Sequence, residues 1–289
     1  MAWARLIRFV DTKGVTSFGE PCIERAEDLL KSLANQTLYA LKLEGWDPFA
    51  LSAPGEKVQV QSILEVLKPT DVPIIKCIGL NYMKHIAEGG RKPPPFPSLF
   101  IKSSPCLAKY DEDVPIPKIA QGKNLDYEGE LAVVIGKTGK NITPESALEY
   151  VAGFTPSNDV SARTWQKDPT YAGGVPQWCF AKGFDKFAPI GPMLVAPSVV
   201  GAADNLRLQT FVNGELRQDT STDDLLFNVR AIVSFLSQGS TLEKGTVIMT
   251  GTPAGVAMGM AEPKWLVDGD VVEVKIEHLG SCVNKMVYE

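Results

Sequence analysis

The sequence predicts a mixed, β-rich α+β fold. Beyond residue 70 most apolar runs are short and β-branched, turn residues separate them, and two stretches carry helical signals. Residues 1–70 read as a small leading α+β unit. Ala2 to Val10 and Val15 to Phe18 flank Asp11-Thr12-Lys13-Gly14, a hairpin signal. Cys22 to Leu33 reads as helix. Ser62 to Leu67 then leads into Lys68-Pro69-Thr70-Asp71-Val72-Pro73, a Pro-punctuated boundary with a second unit, 71–289. In that unit Ile74–Ile78, Leu131–Ile135, Leu206–Val212, Thr246–Met249 and Val271–Ile276 read as strands. Asn213-Gly214 is a two-residue hairpin turn. One helix is expected from Thr143, a cap followed by Pro144 at the first position, toward Gly153. A second starts near Asp223-Asp224 and places Leu225, Val229, Ile232, Val233 and Leu236 on one face.

Composition removes whole function classes. The chain has 289 residues, 44% hydrophobic and 22% charged, an ordinary globular balance. Its net charge of −5, with no Lys/Arg cluster longer than a pair, argues against nucleic acid or anionic lipid as a partner. No apolar run approaches the ~20 residues of a membrane span. Met1-Ala2-Trp3-Ala4-Arg5 lacks the long apolar region of a signal peptide, and no Arg-rich presequence stands before the first strand. A cytoplasmic residence is expected, with a mitochondrial one as the alternative. The five scattered cysteines form no C-x-x-C and read as buried packing residues. The two histidines, His85 and His278, exclude a three-His zinc site and an H-E-x-x-H helix. A metal here would need mostly oxygen ligands, which favours Mg²⁺, Mn²⁺ or Ca²⁺.

The most informative segment is Asp126-Tyr127-Glu128-Gly129-Glu130-Leu131. A strand has period two, so Glu128 and Glu130 point to one side as they enter an apolar run. Two such carboxylates repel, and their burial is expensive unless a cation sits between them. Gly129 between them would let another backbone approach. Alone, Glu-x-Glu describes a solvated strand edge. Asp159, after the turn at Pro156-Ser157-Asn158, supplies a third oxygen ligand and gives a set able to hold one divalent ion. His85 and Glu88 stand i,i+3 and share a face if their segment is helical. A carboxylate there would fix the imidazole tautomer and raise its basicity. Gly89-Gly90 and the Pro-rich stretch after them suit a hinged lid. His278 reads as structural or exposed.

Cys77-Ile78-Gly79-Leu80-Asn81-Tyr82, Glu128-x-Glu130, Asn158-Asp159-Val160-Ser161-Ala162-Arg163 and Gly251-Thr252-Pro253-Ala254-Gly255-Val256 occur in the order seen in the fumarylacetoacetate hydrolase superfamily. The resemblance covers about residues 72–289. It is nearest to the fumarylacetoacetate hydrolase domain-containing proteins, whose second human type is described as an oxaloacetate tautomerase. It implies a β-sandwich or roll catalytic domain, usually a homodimer. It also implies Mg²⁺ or Mn²⁺ bound by Glu128, Glu130 and Asp159. The implied substrate is a small 2-oxo acid or β-dicarbonyl acid whose C2 enolate the ion stabilises.

The resemblance also assigns roles to basic and polar residues. His85 and Glu88 match a general-base pair on a mobile lid. Lys182 matches an active-site lysine able to pair with enolate or carboxylate, and Lys102 a second basic position near the substrate. Arg163 and Gln166, one helical turn apart, suit carboxylate binding, as does Thr252 in its Gly-Thr-Pro turn. Leu80, Ser103, Thr164 and Gly183 depart from the residues usual in the family. None is a metal ligand, but Leu80 and Gly183 bear on substrate identity, and the Lys167 to Val175 loop on pocket shape. Oxaloacetate keto–enol tautomerisation is the expected reaction. Acylpyruvate or fumarylacetoacetate-type C–C hydrolysis and oxaloacetate decarboxylation share its enolate, and a non-catalytic metal-binding scaffold is the competitor of another class.

Overall fold

The computed structural model describes residues 2–52, 54–122 and 124–289. Strands β1 (Arg5–Asp11) and β2 (Thr16–Pro21) form the expected hairpin. The Asp11 carboxylate closes its turn by accepting from the Lys13 and Val15 amides, both at 2.9 Å. Helix α1 (Asp28–Ala34) is shorter than the Cys22 to Leu33 reading. The Cys22 amide donates to the Tyr39 carbonyl at 2.8 Å, so the chain is still bound to the sheet there. Strands β3 (Tyr39–Leu43) and β4 (Pro54–Leu64) complete the leading sheet, in the order β2-β3-β4-β1.

The chain then gives β5 (Ile75–Gly79), α2 (Met83–Glu88), β6 (Ser98–Lys102), β7 (Leu107–Lys109), β8 (Val114–Ile116), β9 (Leu125–Asp126) and β10 (Gly129–Ile135). After these come β11 (Val151–Asn158), β12 (Ser161–Ala162), α3 (Arg163–Lys167), α4 (Pro169–Ala172) and α5 (Trp178–Lys182). The remainder is β13 (Ala188–Ile190), β14 (Leu194–Val195), α6 (Pro197–Val200), β15 (Arg207–Val212), β16 (Glu215–Ser221), α7 (Val229–Ser237), β17 (Val247–Met249), β18 (Val271–Ile276) and β19 (Gly280–Tyr288). All five strands expected from the sequence are present, and three of them, β5, β15 and β17, start one residue later than read. Asn213 and Gly214, at φ of 50° and 78°, make the β15–β16 turn.

One sheet runs β2-β3-β4-β1-β14-β11-β10-β17-β5-β6, so β1 joins the leading strands to the central ones through β14. A second sheet runs β16-β15-β18-β19-β8. Strand β10 is buried along its whole length, as its unbroken run of aliphatic residues requires. Its period of two divides two cores. Leu131, Val133 and Ile135 pack with Phe154, Ile232 and Leu236, while Ala132 and Val134 pack with Ile75, Cys77 and Met249. The architecture is the β-rich α+β class read from the sequence.

Three local expectations change. The segment from Thr143 to Gly153 is not a helix: a 3₁₀ turn spans Ala147–Tyr150 and β11 follows at once. Gly153 lies inside β11 between β10 and β14, where an added Cβ would come 3.0 Å from the Val195 carbonyl oxygen. Sheet pairing outweighs the cap signal. Helix α7 begins at Val229, where the Asn228 side chain caps it by accepting from the Ala231 amide at 3.0 Å. Its buried face carries Val229, Ile232, Val233 and Leu236 as read, but Leu225 lies outside it and bridges to Tyr82. Cys77, Cys106 and Cys282 are buried, whereas Cys22 and Cys179 are exposed, against the reading of all five as packing residues.

Candidate active site and metal centre

The β10–β11 pairing assembles the carboxylates. Glu130 lies opposite Ser157 and Gly129 opposite Asn158, which brings Glu128 and Asp159 side by side just beyond the pairing. The Asp159 amide donates to the Glu128 carbonyl at 2.8 Å, and the Glu128 amide to Asn158 Oδ1 at 3.0 Å. One carboxylate oxygen from each of Glu128, Glu130 and Asp159 lies within 4.8 Å of the others, and all three residues are buried. Gly129 makes room for side chains rather than for a second backbone. A Cβ there would sit 2.0 Å from Thr210 Oγ1, and the Gly129 amide donates to Gln218 Oε1 at 2.9 Å. Gln218 Nε2 in turn donates to Thr252 Oγ1 at 2.9 Å, and the Thr252 hydroxyl to the Gly129 carbonyl at 3.0 Å.

Three basic side chains are buried against this cluster. Lys182 Nζ donates to Glu128 Oε2 at 2.8 Å, Asp159 Oδ2 at 2.7 Å and Ser161 Oγ at 2.7 Å. Lys102 Nζ lies 2.5 Å from Asp159 Oδ1 and also donates to the Phe187 carbonyl. Arg163 pairs with Asp126 Oδ2 at 2.8 Å and Glu128 Oε1 at 2.6 Å, and donates to Gln166 Oε1 at 3.1 Å. Asp126 was not singled out from the sequence. It continues the Glu128–Glu130 alternation one step back, and that parity was the available signal. Its carboxylate also accepts from the Ala257 and Met258 amides, tying the Gly-Thr-Pro turn region to the cluster.

The charges do not balance. Among the described residues Glu130 has no cationic partner, and its side-chain acceptor role is filled by the Gly251 amide at 2.8 Å. Burial, then the neighbouring Asp159 and Glu128 charges, push its carboxyl well above the usual range. Burial also opposes ionisation of Glu128, but Lys182 and Arg163 outweigh it and hold that carboxyl down at about 2. A buried carboxylate is tolerated only when paired. The Lys182 ammonium shows that oxygens of Glu128 and Asp159 already converge on one cation, and Glu130 beside them still lacks one. Three hard oxygen donors with a charge deficit fit a divalent ion such as Mg²⁺ or Mn²⁺.

Helix α2 covers the site. His85 Nδ1 lies 3.0 Å from Glu88 Oε2, so the i,i+3 spacing forms the expected pair. Glu88 Oε1 accepts from the Gly255 amide at 3.2 Å, and an added Cβ on Gly259 would come 2.6 Å from the Glu88 Cδ. The His85–Glu88 pair is therefore docked on the turn after Thr252. Asn81 anchors the approach to α2. Its amide group donates to the carbonyls of Phe227 at 3.0 Å and Thr250 at 2.7 Å, and its oxygen accepts from the Phe227 amide at 2.9 Å.

A cavity of about 150 Å³ lies beneath α2, lined by His85, Glu128, Arg163, Gln166, Lys182 and Thr252 among others. Six of the ten residues read as site residues thus face one space. Glu88 stands behind His85, and Lys102 behind Asp159, as partners of the neighbouring group rather than as lining residues. Glu130 and Asp159 are buried without lining the cavity. Leu80, at φ 55°, does line it. Lys167 lines it too, at the start of the loop read as bearing on pocket shape, whereas the sequence reading missed Arg91, Phe100 and Trp178 in the wall. One signal for Trp178 existed: Gly79, whose added Cβ would fall 1.9 Å from the indole.

A family profile described as "Fumarylacetoacetate (FAA) hydrolase C-terminal" matches residues 74–287. Oxaloacetate tautomerase Fahd2a, mitochondrial, of Rattus norvegicus is 40% identical over 230 residues, 79% of this chain and 70% of that protein. The fumarylacetoacetate hydrolase domain-containing protein 2 homolog of Dictyostelium discoideum is 39% identical over 231 residues, 77% and 74% of the two chains. The crystal structure of 2-hydroxyhepta-2,4-diene-1,7-dioate isomerase from Mycobacterium marinum superposes with a TM-score of 0.77 at 31% identity, covering 99% of each chain. Fumarylacetoacetate hydrolase from Exiguobacterium antarcticum gives 0.73 at 33% identity, again over 99% of each. No helix among the described residues is long and apolar enough to cross a membrane. A profile match running from residue 74 to residue 287, with relatives near 40% identity, establishes that this chain belongs to the fumarylacetoacetate hydrolase family and is one of its enzymes.

Proposed function

We propose that the enzyme interconverts the keto and enol forms of oxaloacetate, with Mg²⁺ or Mn²⁺ held by Glu128, Glu130 and Asp159. The observation that carries this reading is His85, backed by Glu88, facing the same cavity as Glu128 and Lys182. A bound divalent ion supplies Lewis-acid stabilisation of charge at the C2 oxygen of a 2-oxo acid. The chain's own residues do the rest. Glu88 accepts from His85 Nδ1–H and leaves Nε2 free to take the C3 proton and return it to oxygen. Lys182 and Arg163 hold the developing negative charge and the C1 carboxylate, with Gln166 and Thr252 as neutral donors. Lys102 fixes the Asp159 carboxylate. Tautomerisation moves one proton and breaks no C–C bond, which a single imidazole suffices to do.

The test is conversion of enol-oxaloacetate followed by loss of its ultraviolet absorbance, with Mg²⁺ alone as the baseline. His85→Ala is expected to lower kcat by about 10²–10⁴-fold, the range of general acid–base catalysis. No acceleration over Mg²⁺ alone by the unaltered enzyme would end the tautomerase reading. Carbon dioxide release, or cleavage of an acylpyruvate, would assign decarboxylation or hydrolysis instead. Two further readings belong here. The edge strand β6 exposes Leu99 and Ile101, and a bare apolar edge needs a cover, which supports a homodimer. Light scattering of the unaltered chain against Leu99→Lys/Ile101→Lys checks it. Several relatives are named as mitochondrial, and a fluorescent fusion decides between mitochondrion and cytoplasm for this chain.

A further inference from the structure

The charges at the inner and outer ends of the cavity are of different kinds. Inside, Lys182 and Arg163 are committed to the carboxylates of Glu128, Asp159 and Asp126. Two more cations line the same cavity: Arg91, just beyond the Gly89-Gly90 end of α2, and Lys167, the last residue of α3. Both are exposed, and neither side chain makes a hydrogen bond or ion pair with any described residue. One comes from the segment after α2 and the other from the helix that carries Arg163 and Gln166. Partial desolvation and repulsion from Arg163 and Arg91 lower the Lys167 ammonium pKa, and the Glu128 and Asp126 carboxylates offset this only in part. Two cations that line one cavity, with no ion-pair partner among the described residues, suit an anionic group of a ligand.

We propose that Arg91 and Lys167 form a second anion subsite that receives the distal carboxylate of a 2-oxo dicarboxylate, and so select diacids over monoacids of similar length. This rests on the reading that the C1 end of a 2-oxo acid binds at the inner carboxylate cluster. The inner cations already face Glu128, Asp159 and Asp126 and serve the C1 end in the proposed reaction, so the distal group falls to the cations farther along the cavity wall. Arg91 rides with the covering segment, so a diacid would also draw the cover toward α3, whereas a monoacid would not. The two residues are specificity determinants and take no part in proton transfer.

The test uses two probes that cannot tautomerise at C3: oxamate, a monoacid, and N-oxalylglycine, which adds a distal carboxylate. Binding to the Mg²⁺-loaded full chain is read from the fluorescence of Trp178 and its fellow tryptophans. N-oxalylglycine should bind the unaltered protein at least about tenfold more tightly than oxamate, the worth of one charge-assisted contact. Lys167→Met and Arg91→Met should each remove most of that preference while leaving oxamate affinity within about twofold, and Lys167→Arg should restore it. Equal weakening of both probes, or an unchanged preference in both variants, overturns the proposal. Failure of either probe to bind the unaltered protein overturns it too. A preserved preference in a protein that does not accelerate enol-oxaloacetate conversion would refute the proposed reaction and leave the subsite standing.

Discussion

Replacing Lys182 by Met is the sharpest perturbation the site offers. The substitution keeps an unbranched stem beside Phe100, whose ring centroid lies 5.2 Å from the ammonium, and removes the charge. It breaks contacts at 2.8 Å to Glu128 and 2.7 Å to Asp159 and Ser161, all in the buried interior. Breaking a buried ion pair from one side costs about 3–5 kcal/mol, because the partner charge stays behind. At about 2–4 °C per kcal/mol for a chain of this size class, the metal-free protein should melt roughly 6–20 °C lower. The stranded carboxylates will take up protons more readily when folded, so the loss should deepen as pH rises from 5 to 8. Saturating Mg²⁺ should narrow the gap, since Glu128 and Asp159 then hold the ion without a competing ammonium. Calorimetry in EDTA and in Mg²⁺ measures both effects. A loss below about 1 kcal/mol in EDTA, or a gap that widens with Mg²⁺, would refute the charge accounting.

Other predictions address the frame around the site. Gly79→Ala drives a methyl into Trp178 and should cost about 1–3 kcal/mol of overpacking, shift the tryptophan emission and raise KM. Asn81→Ala removes three hydrogen bonds and leaves the buried Thr250 carbonyl and the half-buried Phe227 backbone groups without their partner. About 2–4 kcal/mol of stability should go, with faster hydrogen exchange in 81–88 and 225–228. Alkylation at pH 8 should label Cys22 and Cys179 quickly, and Cys77, Cys106 and Cys282 after unfolding. Burial pushes the Cys77 and Cys282 thiols up, so even an accessible fraction would be poorly nucleophilic. Mass spectrometry of the native adduct checks this: labelling of Cys77 before unfolding would contradict the packing described.

The clustering of the three carboxylates was legible in the sequence because it is written in a local rule. Glu128 and Glu130 are two residues apart in a strand, and Asp159 follows the strand that pairs with it. The His85–Glu88 pair was legible for the same reason, with a helical period in place of a strand one. What the sequence did not show is where charges find their partners. Lys102, Lys182 and Arg163 read as substrate-facing cations, yet most of their donors are turned to the site's own carboxylates. Glu88 docks on Gly255, 167 residues away, and no local pattern encodes that contact. The Thr143–Gly153 helix signals failed because both edges of β11 were claimed by neighbours in the sheet, a tertiary fact. Arg91 and Trp178 escaped notice because only the fold brings them to the cavity, and Lys167 was read only as the start of a loop that shapes the pocket.

The division of β10 between two cores has a consequence for how the enzyme can change. Odd-numbered residues from Leu131 onward belong to one apolar cluster and even-numbered ones to the other. Glu128 and Glu130 share the even parity. A slip of one position would carry both carboxylates toward the Phe154 and Ile232 side and exchange every aliphatic side chain between cores that differ in shape. Sheet register is thus the same variable as the orientation of the carboxylate pair, and the chain cannot adjust one while keeping the other. Insertions and deletions should therefore be absent from the stretch between Asp126 and Ile135 in any working relative. Diversification of substrate is left to the segments that merely arrive at the cavity, α2 with its Gly-Gly tail and the loop after α3.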